Sequence, residues 1–567
     1  MYSKLRILLL KCSFHDLKTG LGDEVINLAE YLTSDLTSKK LVDIAISGYG
    51  KSLLESIEVR YILLINTLNS DKVLELAKRL RIPANDVRKV ASKIACLPFR
   101  NGVVSSYILE MIGLDDTYLP EGKKDPEERT ERIEGQDSEV FYELLDYQYD
   151  IRRRLISFYR EQQGARSLIH MPTGSGKTKT AMHIIQELWA FDYNNKGFIL
   201  WLAHSEELLR QAIDSFKSVW RNLGAFPVNI VKLWGVFDWE DEDLDGCIIF
   251  ASIQKLQSML KRNQEDLELI SQGLNIIVVD ECHKAPATKT HELLLYLLNR
   301  NNISGKIPNL LGLTATPGRK GGYDVEDIKL RMLFDNVKLG IDIELMNKYE
   351  PGYSDAENEI KLLQKRKILS TFNRNPIEIS AETLDLSVGE VNNIKKSLQS
   401  DGERKVNADI ISKIANNKTR NKLILEQLFE LNSKGIKTIF FACNVAHAKL
   451  INAALRLNNI DSGLILGETT SDFRRKQIDR FRDDSSSLNI LVNVSVLTTG
   501  FDSPNIDCVF ISRPVTSIIL YSQMIGRGIR GPRMGGNECC KLIEVVDNLD
   551  FGDESWAFNF FDSYWSL

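Results

Sequence analysis

The sequence predicts an α/β fold with two tandem parallel sheets and an α-helical N-terminal domain. Two series of short apolar segments carry this prediction, because each segment ends in a polar or glycine turn and helical spacing separates them. The first series is SLIHM, GFILWLA, CIIFAS, LNIIVVD and LLGLTAT, and the second runs from KTIFFACN to KLIEVVD. Alternation of this kind is typical of parallel strands that are covered by helices on both faces.

Changes in composition divide the chain into five parts. Residues 1–120 predict a helical domain of unknown role, and 121–140 predict a charged linker, because this stretch has almost no apolar residues. Residues 141–340 hold the first series of strands. Residues 341–420 are polar with helical patches and predict a helical interdomain insertion, and 421–567 hold the second series.

Composition excludes some classes of protein. No apolar segment in the 567 residues approaches the roughly 18 residues of a membrane span, so we expect no membrane partner. The eight cysteines are scattered without a C-x-x-C pair, which indicates reduced thiols and a cytoplasmic protein. A net charge of -5 argues neither for nor against a nucleic-acid partner, since the local field at a groove attracts phosphates.

Two stretches match the glycine-lysine pattern of a phosphate-binding loop, AISGYGKS at 45–52 and MPTGSGKT at 171–178. Such a loop wraps phosphates with backbone N–H groups at a helix N-terminus, and its lysine neutralises the β and γ charges. About 100 residues after Lys177 a buried strand ends in Asp280 and Glu281. Nothing comparable follows Lys51, so we predict that 171–178 binds a nucleotide and that 45–52 is a chance match.

The loop 171–178, the segment around Asp280 and Glu281 and six further blocks resemble those of the superfamily 2 helicases and nucleic-acid translocases, and they occur in the order found in that family. The resemblance covers about 141–550 and is closest to the branch that holds RadD-like and XPB-like helicases and the motor subunits of restriction enzymes. The blocks are MPTGSGKT, LAHSEELLRQ, ASIQKL, VVDECHKA, GLTATPGR, TIFFACNVAHA, VLTTGFDSPNID and YSQMIGRGIR.

The resemblance implies two RecA-like domains, with ATP and Mg²⁺ bound between them. It implies that Lys177 binds the phosphates, that Glu281 is the catalytic base, and that Arg527 and Arg530, expected on one helical face, are arginine fingers. Thr178 and Asp280 would hold the metal. The implied nucleotide-binding residues are Gln148, Thr173, Gly174, Ser175, Gly176, Lys177, Thr178, Gly500, Asp502 and Gln523. Gln148 is expected at the adenine edge; the alternative is an ordinary polar helix residue.

The resemblance also assigns coupling and nucleic-acid contacts. His283, Thr314 and Thr316 would transmit the nucleotide state to the strand track. Contacts to nucleic-acid phosphates are expected at the strand ends, from Ser205, Ser252, Gln254, Thr498 and Thr499. Contacts of this kind predict salt-sensitive binding without strong sequence preference.

The N-terminal domain lies outside the resemblance. Residues 73–95 have the outline of a helix-turn-helix, with a turn near Arg81 and a second helix capped by Asn85. Many helical hairpins share this pattern, so a plain helical bundle that contacts a protein partner is the preferred interpretation.

The sequence therefore predicts an ATP-dependent helicase or translocase that moves along or unwinds single- or double-stranded DNA. Three alternatives stay open. The chain could be the motor subunit of a restriction or antiphage (antiviral) defence complex with a nuclease partner, an RNA helicase, or a non-hydrolysing nucleic-acid-binding scaffold.

Overall fold

The computed structural model describes most of the chain, and the statements about structure concern these residues alone. No helix among them is both long enough and apolar enough to cross a membrane. The described residues are 2–32, 35–83, 86–120, 128–135, 143–194, 196–240, 246–300, 307–315, 325–349, 358–379, 387, 389, 408–467, 469, 471–498, 505–515 and 518–546.

The N-terminal domain is a helical bundle around its own apolar core. Its helices are α1 Ser3–Leu9, α2 Phe14–Leu32, α3 Ser38–Tyr49, α4 Ile57–Thr67, α5 Ser70–Arg79, α6 Val87–Ala95 and α7 Val103–Ile112. The expected turn is present, and Arg81 adopts a positive φ of 56° there. The side chain of Asp86 caps α6 by accepting hydrogen bonds from the N–H groups of Arg88 and Lys89. Asn85, the expected cap, lies outside the described residues.

The first α/β domain contains an eight-stranded sheet in the order β1-β4-β5-β3-β6-β7-β2-β8. All strand pairs are parallel except β1 with β4. The strands are β1 Thr130–Ile133, β2 Arg166–His170, β3 Phe198–Ala203, β4 Val228–Leu233, β5 Cys247–Ser252, β6 Leu274–Asp280, β7 Asn309–Thr314 and β8 Lys338–Leu339. The helices are α8 Asp146–Glu161, α9 Lys177–Glu187, α10 Glu206–Leu223, α11 Ile253–Arg262, α12 Gln264–Gln272, α13 Thr288–Arg300, α14 Val325–Leu333 and α15 Ile343–Tyr349.

The second α/β domain contains a six-stranded parallel sheet in the order β11-β12-β10-β13-β14-β9. The strands are β9 Thr371–Glu378, β10 Thr438–Phe441, β11 Ser462–Ile465, β12 Ile490–Asn493, β13 Cys508–Ile511 and β14 Cys539–Val546. A connecting helix, α16 Glu359–Lys365, precedes β9, and the others are α17 Ala408–Asn416, α18 Lys418–Ser433, α19 Val445–Leu457, α20 Ser471–Arg482 and α21 Ile518–Ile525. The predicted fold class, two parallel-sheet domains with a helical N-terminal domain, is confirmed.

Two expected connections are partly strands. Residues 130–133 of the expected linker form β1, and residues 371–378 of the expected helical insertion form β9. Both strands lie at sheet edges, where one side of the strand faces solvent and polar residues are tolerated. The polar composition of both segments therefore concealed them.

The N-terminal bundle packs against the second α/β domain, which is its neighbour in space but not in sequence. Ala453 of α19 belongs to the apolar core of the bundle. The amide of Asn421 donates a hydrogen bond to the Tyr31 hydroxyl, at 2.9 Å, and Asn452 donates to the Ser47 carbonyl, at 2.8 Å. This shared core makes the bundle an extension of the second domain.

Candidate active site

The topology of the first sheet brings three strand ends together. Strands β6, β7 and β2 are neighbours and run parallel, so their carboxyl ends lie at one edge. Asp280 ends β6, Thr314 ends β7, and the loop 171–176 follows β2. The predicted phosphate loop and carboxylate pair are therefore close in space.

The loop 171–176 has the backbone shape that phosphate binding requires. Gly174 and Gly176 adopt φ angles of 80° and 87°, a region that glycine enters without strain. The Ser175 hydroxyl donates to the Pro172 carbonyl at 2.6 Å, which closes the turn. Helix α9 begins at Lys177, whose ammonium donates to the carbonyls of Met171 at 3.1 Å and Pro172 at 3.3 Å. Lys177 thus lies across the loop, where a phosphate would meet it.

The other glycine-lysine match has no such shape. Residues 45–49 belong to helix α3, and a 3-10 helix, Gly50–Glu55, follows. The Lys51 ammonium donates to the Leu119 carbonyl at 2.9 Å, so it ties together two parts of the N-terminal bundle.

The two carboxylates after β6 have different protonation tendencies. Burial and the negative charge of Glu281 raise the pKa of Asp280, while Lys177 opposes them. Burial also acts to raise the pKa of Glu281, but the hydrogen bond and charge of His283, together with Lys177, lower it overall. Glu281 has a φ of 49°, and its N–H donates to Oδ1 of Asp280 at 2.9 Å. The lowered pKa favours the ionised form of Glu281, which is the form that the predicted role of catalytic base requires.

His283 connects the carboxylate pair to the neighbouring strand. Its Nδ1 lies 3.1 Å from the Thr314 hydroxyl and 3.3 Å from Oε2 of Glu281, and the ring is almost fully buried. Two of the three expected coupling residues are thus in direct contact. Thr316 lies outside the described residues.

The Gln148 side chain forms hydrogen bonds with the phosphate loop and with the start of its own helix. Its Nε2 donates to the Ser175 carbonyl at 2.8 Å, and its Oε1 accepts from the Leu145 N–H at 2.9 Å. The side chain is only 1% exposed. The Tyr147 hydroxyl donates to the same Ser175 carbonyl at 2.8 Å, a contact that the sequence analysis missed. Both residues support the phosphate loop, and the adenine contact expected of Gln148 stays a prediction.

The second domain contacts the phosphate loop directly. A Cβ atom at Gly526 would lie 2.9 Å from Cβ of Thr173, and one at Gly174 would lie 3.9 Å from Cγ of Arg530. Burial lowers the pKa of Lys177 and the positive charge of Arg527 adds to this, while the negative charges of Glu281 and Asp280 oppose it. Thr173 and Arg530 thus lie at the contact between the two domains, and the roles of Arg527 and Arg530 as arginine fingers stay predictions.

The local structure of the arginine segment differs from the expected helical face. Helix α21 ends at Ile525, and Arg530 instead pairs with Leu369 in an isolated antiparallel bridge. The Gly531 N–H donates to the Ile368 carbonyl at 2.9 Å, and the Lys367 carbonyl oxygen is 2.5 Å from a Cβ position at Gly531, so the two segments approach closely at a glycine. The segment that follows α16, rather than a continuation of α21, therefore supports the backbone at Arg530.

That supporting segment is also fixed to the first domain. The Arg366 guanidinium is 4% exposed and binds the Asp146 carboxylate of α8 at 2.6 and 3.0 Å. Leu369 and Ile529 pack into the apolar core of the first domain. Asp146 and Arg366 are 220 positions apart, and no sequence pattern pointed to this pair.

The expected nucleic-acid contacts lie at adjacent strand ends. Strands β3 and β5 pair with Ala203 opposite Ser252, so Ser205 and Ser252 are close to one edge. Both hydroxyls cap helices, Ser205 at α10 and Ser252 at α11, and Gln254 donates to the His204 carbonyl at 3.1 Å. Thr498 ends a short 3-10 helix, while Thr499, Gly500 and Asp502 lie outside the described residues.

The residues present fit a nucleotide with a divalent cation. A buried carboxylate with a raised pKa, such as Asp280, gains from a nearby cation. The buried Nε2 of Gln523 has no hydrogen-bond acceptor among the described residues, so a phosphate oxygen would satisfy it.

Two family models match the chain. The model described as type III restriction enzyme, res subunit, matches residues 141–319, and the helicase conserved C-terminal domain matches 419–531. Together they match about half of the chain.

Three similar proteins illustrate the relationship. Saccharomyces cerevisiae IRC3, whose name describes an ATP-dependent helicase, is 28% identical over 417 residues, 72% of this chain and 52% of IRC3. The Escherichia coli type I restriction enzyme EcoKI endonuclease subunit is 27% identical over 404 residues, 67% of this chain and 32% of that subunit. The Pyrococcus furiosus Hef helicase domain is 16% identical with a TM-score of 0.42, and the match covers 73% of this chain and 97% of that domain.

The chain spans about half the length of IRC3 and a third of the EcoKI subunit. The matched regions include the phosphate loop, the carboxylate pair and the arginine segment. The chain therefore belongs to the superfamily 2 helicases and is related to the motor subunits of restriction enzymes.

Proposed function

We propose that the chain is an ATP-dependent DNA helicase or translocase, which couples ATP hydrolysis to movement along DNA or to its unwinding. The observation that carries the proposal is the contact between the second domain and the phosphate loop, at Thr173 with Gly526 and at Gly174 with Arg530. An ATP site built from both domains makes hydrolysis depend on their closure.

The chemistry follows from charges already in place. Glu281 is ionised and accepts a proton from the attacking water, while His283 holds its carboxylate. Lys177, Arg527 and Arg530 offset the negative charge that spreads over the transferred phosphoryl group, and an arginine finger contributes about 10³- to 10⁵-fold in rate. Thr178 and Asp280 would hold Mg²⁺, which when bound neutralises phosphate charge.

Movement along nucleic acid requires a binding surface whose contacts change when the domains close. Ser205 and Ser252 cap the N-termini of helices α10 and α11, and both N-termini lie at the carboxyl ends of neighbouring strands in the first domain. Helix N-termini favour phosphate groups, so this edge is the proposed contact for the nucleic-acid backbone. His283 contacts both Glu281 and Thr314, at 3.3 and 3.1 Å, and is the proposed element that passes the nucleotide state from Glu281 to the neighbouring strand β7.

DNA is the proposed track because the names of the restriction-enzyme relatives point to DNA-processing assemblies. A motor subunit of a restriction or antiphage complex is the second candidate, supported by the endonuclease names of those relatives. RNA is an alternative, because the mouse DHX58, named an ATP-dependent RNA helicase, is 24% identical over 198 residues. Eight free cysteines support the proposed cytoplasmic location.

The test is the rate of ATP hydrolysis by the purified chain without nucleic acid and with single-stranded DNA, duplex DNA or RNA. Lys177→Ala supplies the blank. Stimulation by DNA that disappears in the variant supports the proposal. Stronger stimulation by RNA than by DNA would mean that RNA is the track.

Strand separation distinguishes the remaining possibilities. A chain that hydrolyses ATP but separates strands only with a co-purifying nuclease favours the defence-complex motor. A chain that binds nucleic acid and hydrolyses nothing is the scaffold, although such a protein has no chemical need for Lys177, Glu281, Arg527 and Arg530 together.

A further inference from the structure

The N-terminal bundle carries a strongly basic stretch that the motor does not use. Residues 72–100 contain eight Lys and Arg against two acidic residues, whereas residues 1–71 contain eight basic and nine acidic residues. All eight cations of the stretch are exposed. They are Lys72, Lys78, Arg79, Arg81, Arg88, Lys89, Lys93 and Arg100.

Helix α6 concentrates these charges on one face. Its inner face is apolar and buried, and consists of Val90, Ala91, Ile94 and Ala95. Its outer face consists of Arg88, Lys89, Ser92 and Lys93, without an acidic residue. No ion pair between described residues involves these three cations, in contrast to Arg79, which pairs with Glu75 and Glu110. Within the described part of the chain, the outer face of α6 therefore has no acidic partner in an ion pair.

The composition of this face indicates the kind of partner. Binding of single-stranded nucleic acid depends on aromatic side chains that stack on bases, and α6 has none. The phosphate backbone of a duplex needs only cations and hydroxyl groups, which the face supplies. The Asp86 carboxylate already caps the helix, so the contacts must come from side chains rather than from free N–H groups.

We propose that the outer face of α6 is a second DNA-binding surface, which contacts the phosphate backbone of duplex DNA. Seven residues separate α5 from α6, more than the three or four of a standard helix-turn-helix. The proposal therefore assigns binding without sequence reading. It adds a duplex contact to the proposed motor and does not require ATP hydrolysis.

The test measures binding of the full chain to a duplex of about 30 base pairs, without ATP, at several salt concentrations. The variant is Arg88→Ala with Lys89→Ala and Lys93→Ala. The matched control is Lys11→Ala with Lys18→Ala and Lys39→Ala, which removes equal charge from exposed positions of the same domain. Three lost phosphate contacts should reduce the slope of log affinity against log salt by about 2.7, because each contributes about 0.9.

In the variant with Arg88, Lys89 and Lys93 replaced, and not in the control, we expect this reduction of the salt slope. We also expect at least about tenfold weaker duplex binding at about 0.1 M salt in that variant. Equal slopes in the two variants would overturn the proposal, as would a larger loss on single strands than on duplex. Lys89→Glu with Lys93→Glu is the second variant, and it should weaken binding further. Absence of ATP hydrolysis would reject the proposed motor. It would not affect this test, because duplex binding is measured without ATP.

Discussion

Two stretches of this chain share the glycine-lysine pattern, and only one has the structure of a phosphate loop. Residues 171–176 follow a strand and precede a helix, with Lys177 facing two carboxylates. Residues 45–52 lie in helix α3 and the turn after it, where Lys51 binds the Leu119 carbonyl. A short pattern specifies residue types, whereas phosphate binding needs the preceding strand that aims the loop.

The largest expected effect is that of Lys177→Ala. Loss of the ammonium removes the charge that neutralises the phosphates, so we expect ATP hydrolysis to fall by at least about 10³-fold. The measurement is the DNA-stimulated rate at saturating ATP. Activity retained in this variant would mean that the comparison between the two loops is wrong.

Arg530→Ala should be nearly as damaging, because Arg530 of the second domain lies beside Gly174 of the phosphate loop. The expected loss is about 10³-fold in kcat, with nucleotide affinity little changed, since the arginine acts on the transition state. Separate measurement of kcat and KM checks this. A rise in KM at constant kcat would assign Arg530 to ground-state binding instead.

Glu281→Gln tests the acidic partner that the other loop lacks. Removal of the base should slow hydrolysis by about 10²- to 10⁴-fold while a bound nucleotide analogue still protects the chain from thermal unfolding. The readouts are the hydrolysis rate and the rise in Tm with the analogue. Loss of both would indicate a folding defect rather than loss of a base.

Paired glycine variants compare the backbones of the two stretches. Gly176→Ala places a Cβ 2.3 Å from Nε2 of Gln148 at a φ of 87°, so we expect weaker ATP binding. Gly50→Ala meets the Tyr2 ring at 2.9 Å at a φ of 54°, so we expect lower stability of about 1–2 kcal/mol and an unchanged KM for ATP. Titration of the nucleotide and chemical unfolding separate the two outcomes.

The smallest effect is expected for Lys51→Ala. The change removes one hydrogen bond to a carbonyl, worth about 0.5–1.5 kcal/mol of unfolding free energy. The DNA-stimulated ATPase rate should stay within about twofold of the original. A loss comparable to that of Lys177→Ala would assign the nucleotide to the N-terminal bundle.

The sequence predicted those parts of the molecule that depend on local pattern. Buried strands such as β6 were visible as apolar segments, and the resemblance singled out His283 and Thr314, which the structure places in contact. The edge strands β1 and β9 were missed because exposed strands are polar.

Contacts between side chains and segments that are distant in sequence could not be predicted. Gln148 has several possible partners in principle, and only the fold decides that Ser175 and Leu145 are the ones it meets. The support of Arg530 by the segment that contains Arg366 and Leu369 is likewise not encoded in any local spacing.

 

The docking of the N-terminal bundle on the second domain has a mechanical consequence. The first α/β domain is joined to the bundle at its N-terminal end and to the second domain at its C-terminal end, and those two partners share one apolar core. The first domain is thus connected along the chain, at both of its ends, to parts that share one core. Any movement of the first domain relative to the second therefore also changes its position relative to the bundle.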